Sequence, residues 1–390
     1  MVENRDRFPI IPEERKRRMA RQLLAWYRRH KRLLPWRGAS PYGVWISETM
    51  LQQTQVDTVI PYYRRFMERF PSLHDLATAP VEEVLQYWAG MGYYARARNL
   101  HRAAQMMVAH HNGQIPDTLQ ALRSLPGIGR YTAGAILSIA FNQPYPIVDA
   151  NVARVLSRVF GIAGNPKSAC NTAVLWNLAE QLVPSESPGD FNQALMELGA
   201  LICAPSDPQC ARCPLLQDCV AGNSPDPTAF PEVPPSRKTV PVTHCSAVVQ
   251  NAAGHWLVVQ RPPQGLWGGL WEFPRATMTS TETPEEAARR AAKEVAGIDI
   301  ELQGKLLTVK HAVTHHRITL HAFLARVTLE SPLPVPHACQ ACRFVPLDQL
   351  ANYPFSAPQA AIRNALQSGK HLSLQKVSQL SLPLRQDPAE

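Results

Sequence analysis

At 390 residues the chain is long for one domain and comfortable for two. Forty Lys and Arg against 31 Asp and Glu leave a formal charge of +9, which permits a polyanionic partner without requiring one. No apolar run reaches membrane-spanning length and Met1–Ile11 lacks the apolar core of a signal peptide, so membrane and secreted roles are not expected. The expected location is cytoplasmic and reducing, where the 8 cysteines point to metal or clusters rather than to disulfides.

Residues 13 to about 202 read as a compact set of ten or so helices, punctuated by Pro80, Gly113–Pro116 and Gly161–Pro166. Their start is basic: Arg15, Lys16, Arg17, Arg18, Arg21, Arg28, Arg29, Lys31 and Arg32. A solvated helix face accounts for that run as well as a polyanion-facing surface does.

Glu48 lies in Trp45–Val56, where Trp45, Leu51 and Gln52 are its neighbours one helical turn away. An apolar setting raises a carboxyl pKa and keeps it protonated near neutrality, as a general acid requires. The alternative is a surface Glu on an amphipathic helix.

Leu125–Gly134 joins two helical segments through Pro126, Gly127, Ile128 and Gly129. The glycines allow tight backbone geometry, and the second helix would present free N–H groups suited to phosphate oxygen. A plain connector is the competing reading of this helix–hairpin–helix spacing.

Asp149 directly precedes a periodic helix with Val152, Val155, Leu156, Val159 and Phe160 on one face and Arg154 and Arg158 away from it. Asp there can cap the helix or stabilise positive charge on a sugar. A glycosidic bond is broken by two carboxyl groups acting together, so Glu48 and Asp149 matter only if the fold unites them.

Cys203, Cys210, Cys213 and Cys219 follow a C-x6-C-x2-C-x5-C pattern. Four thiolates so close can hold zinc or an iron–sulfur cubane, and spacing alone leaves both open. Cys170, Cys245, Cys339 and Cys342 read as ordinary thiols, with Cys339, Cys342 and His337 only a weak metal candidate.

Pro225, Pro227, Pro231, Pro234, Pro235 and Pro241 then mark 221–242 as a semi-rigid linker. Beyond it, β-rich runs at Cys245–Gln250, Trp256–Arg261, Lys305–Ala312 and Ile318–Val327 surround a helix at Pro284–Ala296 whose start is marked by Thr283. That mixture predicts an α+β domain over 243–370, after a mostly α domain over 13–220. The polar residues 371–390 read as a disordered tail.

Taken together, Trp45–Val56, Gly90–Leu100, Leu125–Gly129, Val148–Val152 and the cysteine loop resemble the MutY family of adenine DNA glycosylases in the endonuclease III helix–hairpin–helix superfamily. Arg261–Pro274 extends the resemblance to a Nudix-like C-terminal domain. The resemblance implies a [4Fe–4S] cluster on the four cysteines of 203–219. It implies that Glu48 protonates adenine, that Asp149 stabilises the oxocarbenium ion and that Asn151 supports Asp149. Trp36 and Arg37 fall where the family lines the adenine pocket; Gln52, Gln53, Met91 and Tyr93 match elements that probe and invade the duplex. Thr54 and Gln193 are placed with these substrate contacts.

In the strand-cleaving relatives the position of Tyr131 carries a nucleophilic Lys. Tyr cannot form a Schiff base, which predicts a monofunctional glycosylase that leaves an abasic site. The Nudix-like domain is implied to recognise 8-oxoguanine opposite adenine. Its Arg290–Gly297 stretch retains Glu294 but has Ala and Val at two expected glutamates, so a binding module is expected rather than a metal-dependent hydrolase. Thr314 and His315 stand in its lesion-reading turn, where Val313-Thr314 replaces the common Phe-Ser. The implied partner is double-stranded DNA carrying A opposite 8-oxoguanine or G, bound by a monomer with no membrane involvement.

Overall fold

In the first helix, α1 (Glu13–His30), Met19, Leu23, Trp26 and Tyr27 recur at helical spacing and are buried, while Glu13 and Glu14 favour the positive end of its dipole. The computed structural model describes residues 9–232, 238–328 and 334–369. They divide into two compact units, Met1–Thr78 with Asn99–Pro235, and Ala79–Arg98 with Ser236–Glu390.

The first unit is helical. It contains α1, α2 (Pro41–Leu51), α3 (Val56–Arg69), α4 (Leu73–Thr78) and, beyond α5 (Val81–Trp88), most of α6 (Ala95–His110). Then come α7 (Leu119–Arg123), α8 (Arg130–Ala135), α9 (Ala150–Phe160), α10 (Ala169–Leu182) and α11 (Pro188–Leu201). Val152, Val155, Leu156 and Val159 of α9 form the core with Leu175, Leu178, Leu195, Leu198 and the buried face of α1. Ser40 caps α2 by accepting from Gly43 N, with Pro41 at the first helical position. Every residue from Tyr42 to Met50 is buried, so Glu48 has no solvent face to occupy.

The proline-rich stretch is not free chain at its start. Phe230 O accepts from Arg158 Nε at 2.9 Å and Glu232 N donates to Gly164 O at 3.2 Å. A buried guanidinium needs acceptors, and these carbonyls supply one. Residues 233–237 and the proposed tail 371–390 lie outside the described residues.

The second unit carries a mixed sheet. Strands β1 (Val240–Gln250) and β6 (His316–Val327) run parallel; β5 (Ile300–Val313) pairs antiparallel with β6. On the other side, β2 (Trp256–Gln260) pairs with β1, β3 (Trp271–Glu272) and β7 (Ala341–Val345), while β4 (Arg275–Thr277) pairs with β1. Successive residues of the central strands point to opposite faces, and both faces are buried. Ala247, Val249 and Leu257 cluster with Ala292 and Ala296 of α12 (Pro284–Ala296); Val248, Trp256 and Val258 cluster with Ile362 and Leu366 of α13 (Ala357–Gln367). Thr283 and Glu286 form a capping box at the start of α12.

Strands β3 and β4 escaped the sequence reading because two or three residues carry no periodicity, and β7 was not read either. Pro241, read as linker, lies in β1. It pairs there with Arg317 on one side only, so its missing N–H breaks no ladder. No helix among the described residues is long and apolar enough to cross a membrane.

Candidate active site

Glu48 reaches the site from the interior of α2, and Tyr131 from the first turn of α8. Tyr131 Oη donates to Glu48 Oε2 at 2.7 Å, and Met196 Sδ lies 3.4 Å from the same hydroxyl. Burial pushes the Glu48 carboxyl up to about 7, with the Tyr131 hydroxyl opposing and the negative charge of Asp149 reinforcing the rise. The Tyr131 phenol is raised well above its ordinary value by burial and by both carboxylates, so it remains a donor.

Asp149 is the N-cap of α9, accepting from Val152 N at 2.7 Å through Oδ1. Its other oxygen accepts from Asn151 Nδ2 at 3.2 Å. Capping and catalysis are therefore not exclusive readings of this residue. Burial raises its carboxyl, while the N–H groups of Val152 and Asn151, the Asn151 amide and the Arg154 charge hold it down.

Arg154 continues this chain. It donates to Asn151 Oδ1 at 2.9 Å, to Gly199 O at 2.8 Å and to Cys203 O at 2.8 Å. Close approach of α11 is possible because residue 199 is glycine; a Cβ there would stand 2.6 Å from that of Asn151. Arg158, one turn on, is buried rather than turned to solvent as the helical pattern suggested. It donates to Cys203 Sγ at 3.3 Å and to the carbonyls of Ala204 at 2.6 Å and Pro205 at 2.9 Å.

A second buried carboxylate, Glu197, organises the neighbouring wall. Arg32 meets it through its backbone N–H at 2.8 Å and guanidinium at 2.9 and 3.0 Å; Arg37 Nη2 adds a contact at 3.1 Å. Burial works to raise this carboxyl, but the two arginines hold it below its ordinary value. Arg37 also donates to Gln193 Oε1, and its buried Nε has no hydrogen-bond partner among the described residues. Trp36 is buried edge-on to Tyr63, with ring centroids 5.4 Å apart. Sequence reasoning missed Glu197, Arg32, Arg154 and Arg158. The one available signal was Glu197 standing among Leu195, Met196 and Leu198, where an unpaired charge would be costly.

The other expected contacts fare unequally. Gln52 Nε2 donates to Thr132 Oγ1 at 3.2 Å, and Thr54 Oγ1 donates to Gln52 O at 3.3 Å. Gln53 is exposed with φ +57°, Tyr93 is 48% exposed with φ +49°, and Thr314 is exposed with φ +53°. Left-handed backbone is uncommon for such residues, and strain of this kind collects at functional positions. Met91, by contrast, is buried, so its side chain is not presented for duplex invasion as read. Thr314 Oγ1 donates to Val313 O at 2.7 Å, and the His315 and His316 rings lie tilted to each other with centroids 4.1 Å apart.

In the hairpin, Gly127 has φ +78° and a Cβ there would meet that of Asn99 at 2.9 Å, so glycine is required. Gly129 is different: its backbone is extended, with open space around it, and it tolerates a side chain on geometry. Pro126 and Ile128 complete the turn, with Ile128 buried. Part of the basic run is paired inside the protein. Arg15 donates to Asp218 O at 2.7 Å and Arg18 grips the Asp218 carboxylate at 2.6 and 3.1 Å.

Cys203, Cys210, Cys213 and Cys219 are free thiols that line one small cavity. Burial and the three neighbouring sulfurs push Cys213 up to about 12, against donation from the Leu215 amide. Such a group of thiols is unfavourable as anions until a cation compensates them. Gly222 N donates to Cys219 Sγ at 3.3 Å, as amides do toward sulfur ligands. Among the described residues no three His, Cys, Asp or Glu side chains are grouped to hold one metal ion. In the second unit, Glu294 accepts from Arg290 at 2.9 Å, and Arg290 also binds Glu282 at 2.6 Å.

A family model described as HhH-GPD superfamily base excision DNA repair protein matches residues 46–181, and one described as NUDIX domain matches 245–365. The chain is 40% identical over 358 residues to the adenine DNA glycosylase of Mus musculus, covering 77% of this chain and 69% of that protein. Against the adenine DNA glycosylase of Homo sapiens the identity is 39% over 372 residues, covering 80% and 67%. A solved thermostable thymine-DNA glycosylase aligns with a TM-score of 0.49 at 31% identity, covering 53% of this chain and 96% of that one.

Proposed function

The chain belongs to the adenine DNA glycosylase family, and on that premise we propose that it removes adenine standing opposite 8-oxoguanine or guanine in duplex DNA by monofunctional hydrolysis. The observation that carries this reading is the buried Glu48 carboxyl, held by the Tyr131 hydroxyl and within electrostatic reach of Asp149. An extruded adenine receives its proton from Glu48, the C–N bond breaks, and Asp149 stabilises the oxocarbenium ion until water completes the substitution. Arg37, Gln193 and Trp36 line the base pocket; the unpartnered Arg37 Nε is a donor suited to an acceptor on the base. Gly127 and the α8 N-terminus hold a DNA phosphate, so affinity falls steeply with salt. The enzyme acts as a cytoplasmic monomer.

Cys203, Cys210, Cys213 and Cys219 hold a [4Fe–4S] cluster in this reading. Four thiols facing one cavity, with amide and Arg158 donors aimed at their sulfurs, suit thiolate ligands. When bound, the cluster supplies the positive charge that four clustered thiolates require and cross-links the loop.

A duplex with A opposite 8-oxoguanine, incubated with the protein and analysed with and without alkali, tests the reaction class. Breaks that appear only after alkali are expected, because Tyr131 offers no amine for an imine. Breakage without alkali, trapped by borohydride as a covalent complex, would show a lyase instead.

Thr314→Ala is expected to lower the preference for 8-oxoguanine over guanine by about tenfold, the worth of one hydrogen bond in a desolvated contact. Paired single-turnover rates on the two duplexes measure it. An unchanged ratio removes Thr314 from the lesion contact.

A further inference from the structure

The segment Ala79–Arg98 interrupts the helical unit in sequence yet belongs to the unit built around the sheet. Its fastening there is specific. Gln86 Nε2 donates to Ala351 O at 3.1 Å, Leu85 touches the position of Gly269, and Arg98 donates through Nη1 to the carbonyl of Gly268.

That carbonyl is presented by a strained loop. Gly265, Trp267 and Gly269 all have positive φ, and Trp267 at +59° is a bulky residue in a region that such residues avoid. Trp267 is buried, with the Arg275 guanidinium 5.3 Å from its ring. Arg261 ties the loop by donating to Leu266 O at 3.0 Å and to Glu272 at 2.7 Å. A Cβ at Gly268 would stand 2.3 Å from Pro263 O, so only glycine fits this fold of the loop. Strain of this kind persists where surrounding contacts enforce it, and here one carbonyl of the loop accepts from Arg98.

The other end of the segment carries Tyr93. Trp88 Nε1 donates to Gly92 O at 3.1 Å and Gly90 N to Tyr94 Oη at 3.2 Å, closing the turn. The Arg96 guanidinium lies 5.4 Å from the Trp88 ring and 5.4 Å from that of Tyr93. Arg96 and Arg98 share the first turn of α6. Fixing Arg98 therefore fixes the turn that holds the exposed Tyr93 ring.

We propose that Arg98 is a positioning residue: docked on the Gly268 carbonyl, it makes Tyr93 and the turn at Thr314 parts of one unit, so that duplex invasion is registered to the base opposite the target adenine. This rests on the proposed function for the roles of Tyr93 and Thr314. It predicts that losing the Arg98 contact impairs base extrusion and lesion preference while leaving the fold intact.

The test uses the full chain and a duplex with 2-aminopurine beside the target adenine. Fluorescence follows extrusion in stopped flow, and single-turnover release is measured opposite 8-oxoguanine and opposite guanine. Arg98→Met is expected to slow extrusion about tenfold and to lower the 8-oxoguanine preference by a similar factor, one charged hydrogen bond being lost. Arg98→Lys, which keeps a donor, recovers most of both. Arg98→Ala, which removes the same contact, gives the same defect as Arg98→Met. Wild-type extrusion and preference in Arg98→Met overturn the proposal. So does a loss on both duplexes alike that tracks a fall in Tm, which marks a merely structural role. If the unmutated chain releases adenine from neither duplex, the proposed function itself fails, a result distinct from either of these.

Discussion

Glu48→Gln is expected to bind duplex DNA as the unaltered chain does and to release adenine at least about 10³-fold more slowly, since proton donation and local electrostatics are lost together. The substitution is close to isosteric in a buried position. Its amide oxygen can still accept from the Tyr131 hydroxyl, so the packing of α2 against α8 is retained. Single-turnover release and fluorescence anisotropy measure the two properties separately. A release rate within tenfold of the unaltered chain would remove Glu48 as the acid. The same carboxyl sets a pH dependence. Burial places it at about 7, and only the protonated form can donate, so release declines tenfold per unit as pH rises beyond that point. Tyr131 donation favours the ionised form, so Tyr131→Phe should carry the declining limb to higher pH.

Local setting made Glu48 and Asp149 candidates, but neither stood alone, and their pairing as acid and counter-charge was implied by the family resemblance. The run Val44–Met50 is apolar enough to enclose a carboxylate, and Asp149 immediately precedes a regular apolar stripe. Ion pairs between distant parts of the chain were not legible. Glu197 meets Arg32 from 165 residues away, and Arg18 meets Asp218 across 200, separations that no periodicity encodes. Arg158 was misplaced because position on a helical wheel predicts solvent only where nothing else packs on that side. Here the cysteine loop and Phe230 do so, and their carbonyls satisfy the guanidinium. The long strands announced themselves as β-rich runs, whereas the membership of Ala79–Arg98 in the second unit depends on tertiary contacts that leave no local pattern. Backbone strain at Gln53, Tyr93 and Thr314 was equally invisible, since none is a residue type that suggests a left-handed conformation.

Asp149→Asn separates the two roles that one side chain combines. Asn caps a helix about as well as Asp, so the bond from Val152 N persists and Tm should stay within a few degrees. Its negative charge does not persist. A cation developing on the sugar then faces a neutral amide, and release is expected to fall by about 10²–10³-fold, the scale seen when one preorganised electrostatic contact is removed. With the amide oxygen kept on Val152 N, the NH₂ faces the Asn151 Nδ2 donor, so that one hydrogen bond is lost while the cap remains. Asp149→Ala removes charge and cap together. It should lose as much rate as Asp149→Asn and also about 1 kcal/mol of stability. If Asp149 were only a cap, the order would reverse: Asp149→Asn would release adenine normally and Asp149→Ala would show its defect in melting alone. Comparing rate and Tm for the two variants therefore decides whether the carboxylate serves the reaction, and a normal rate in Asp149→Asn would leave the oxocarbenium ion without its proposed counter-charge.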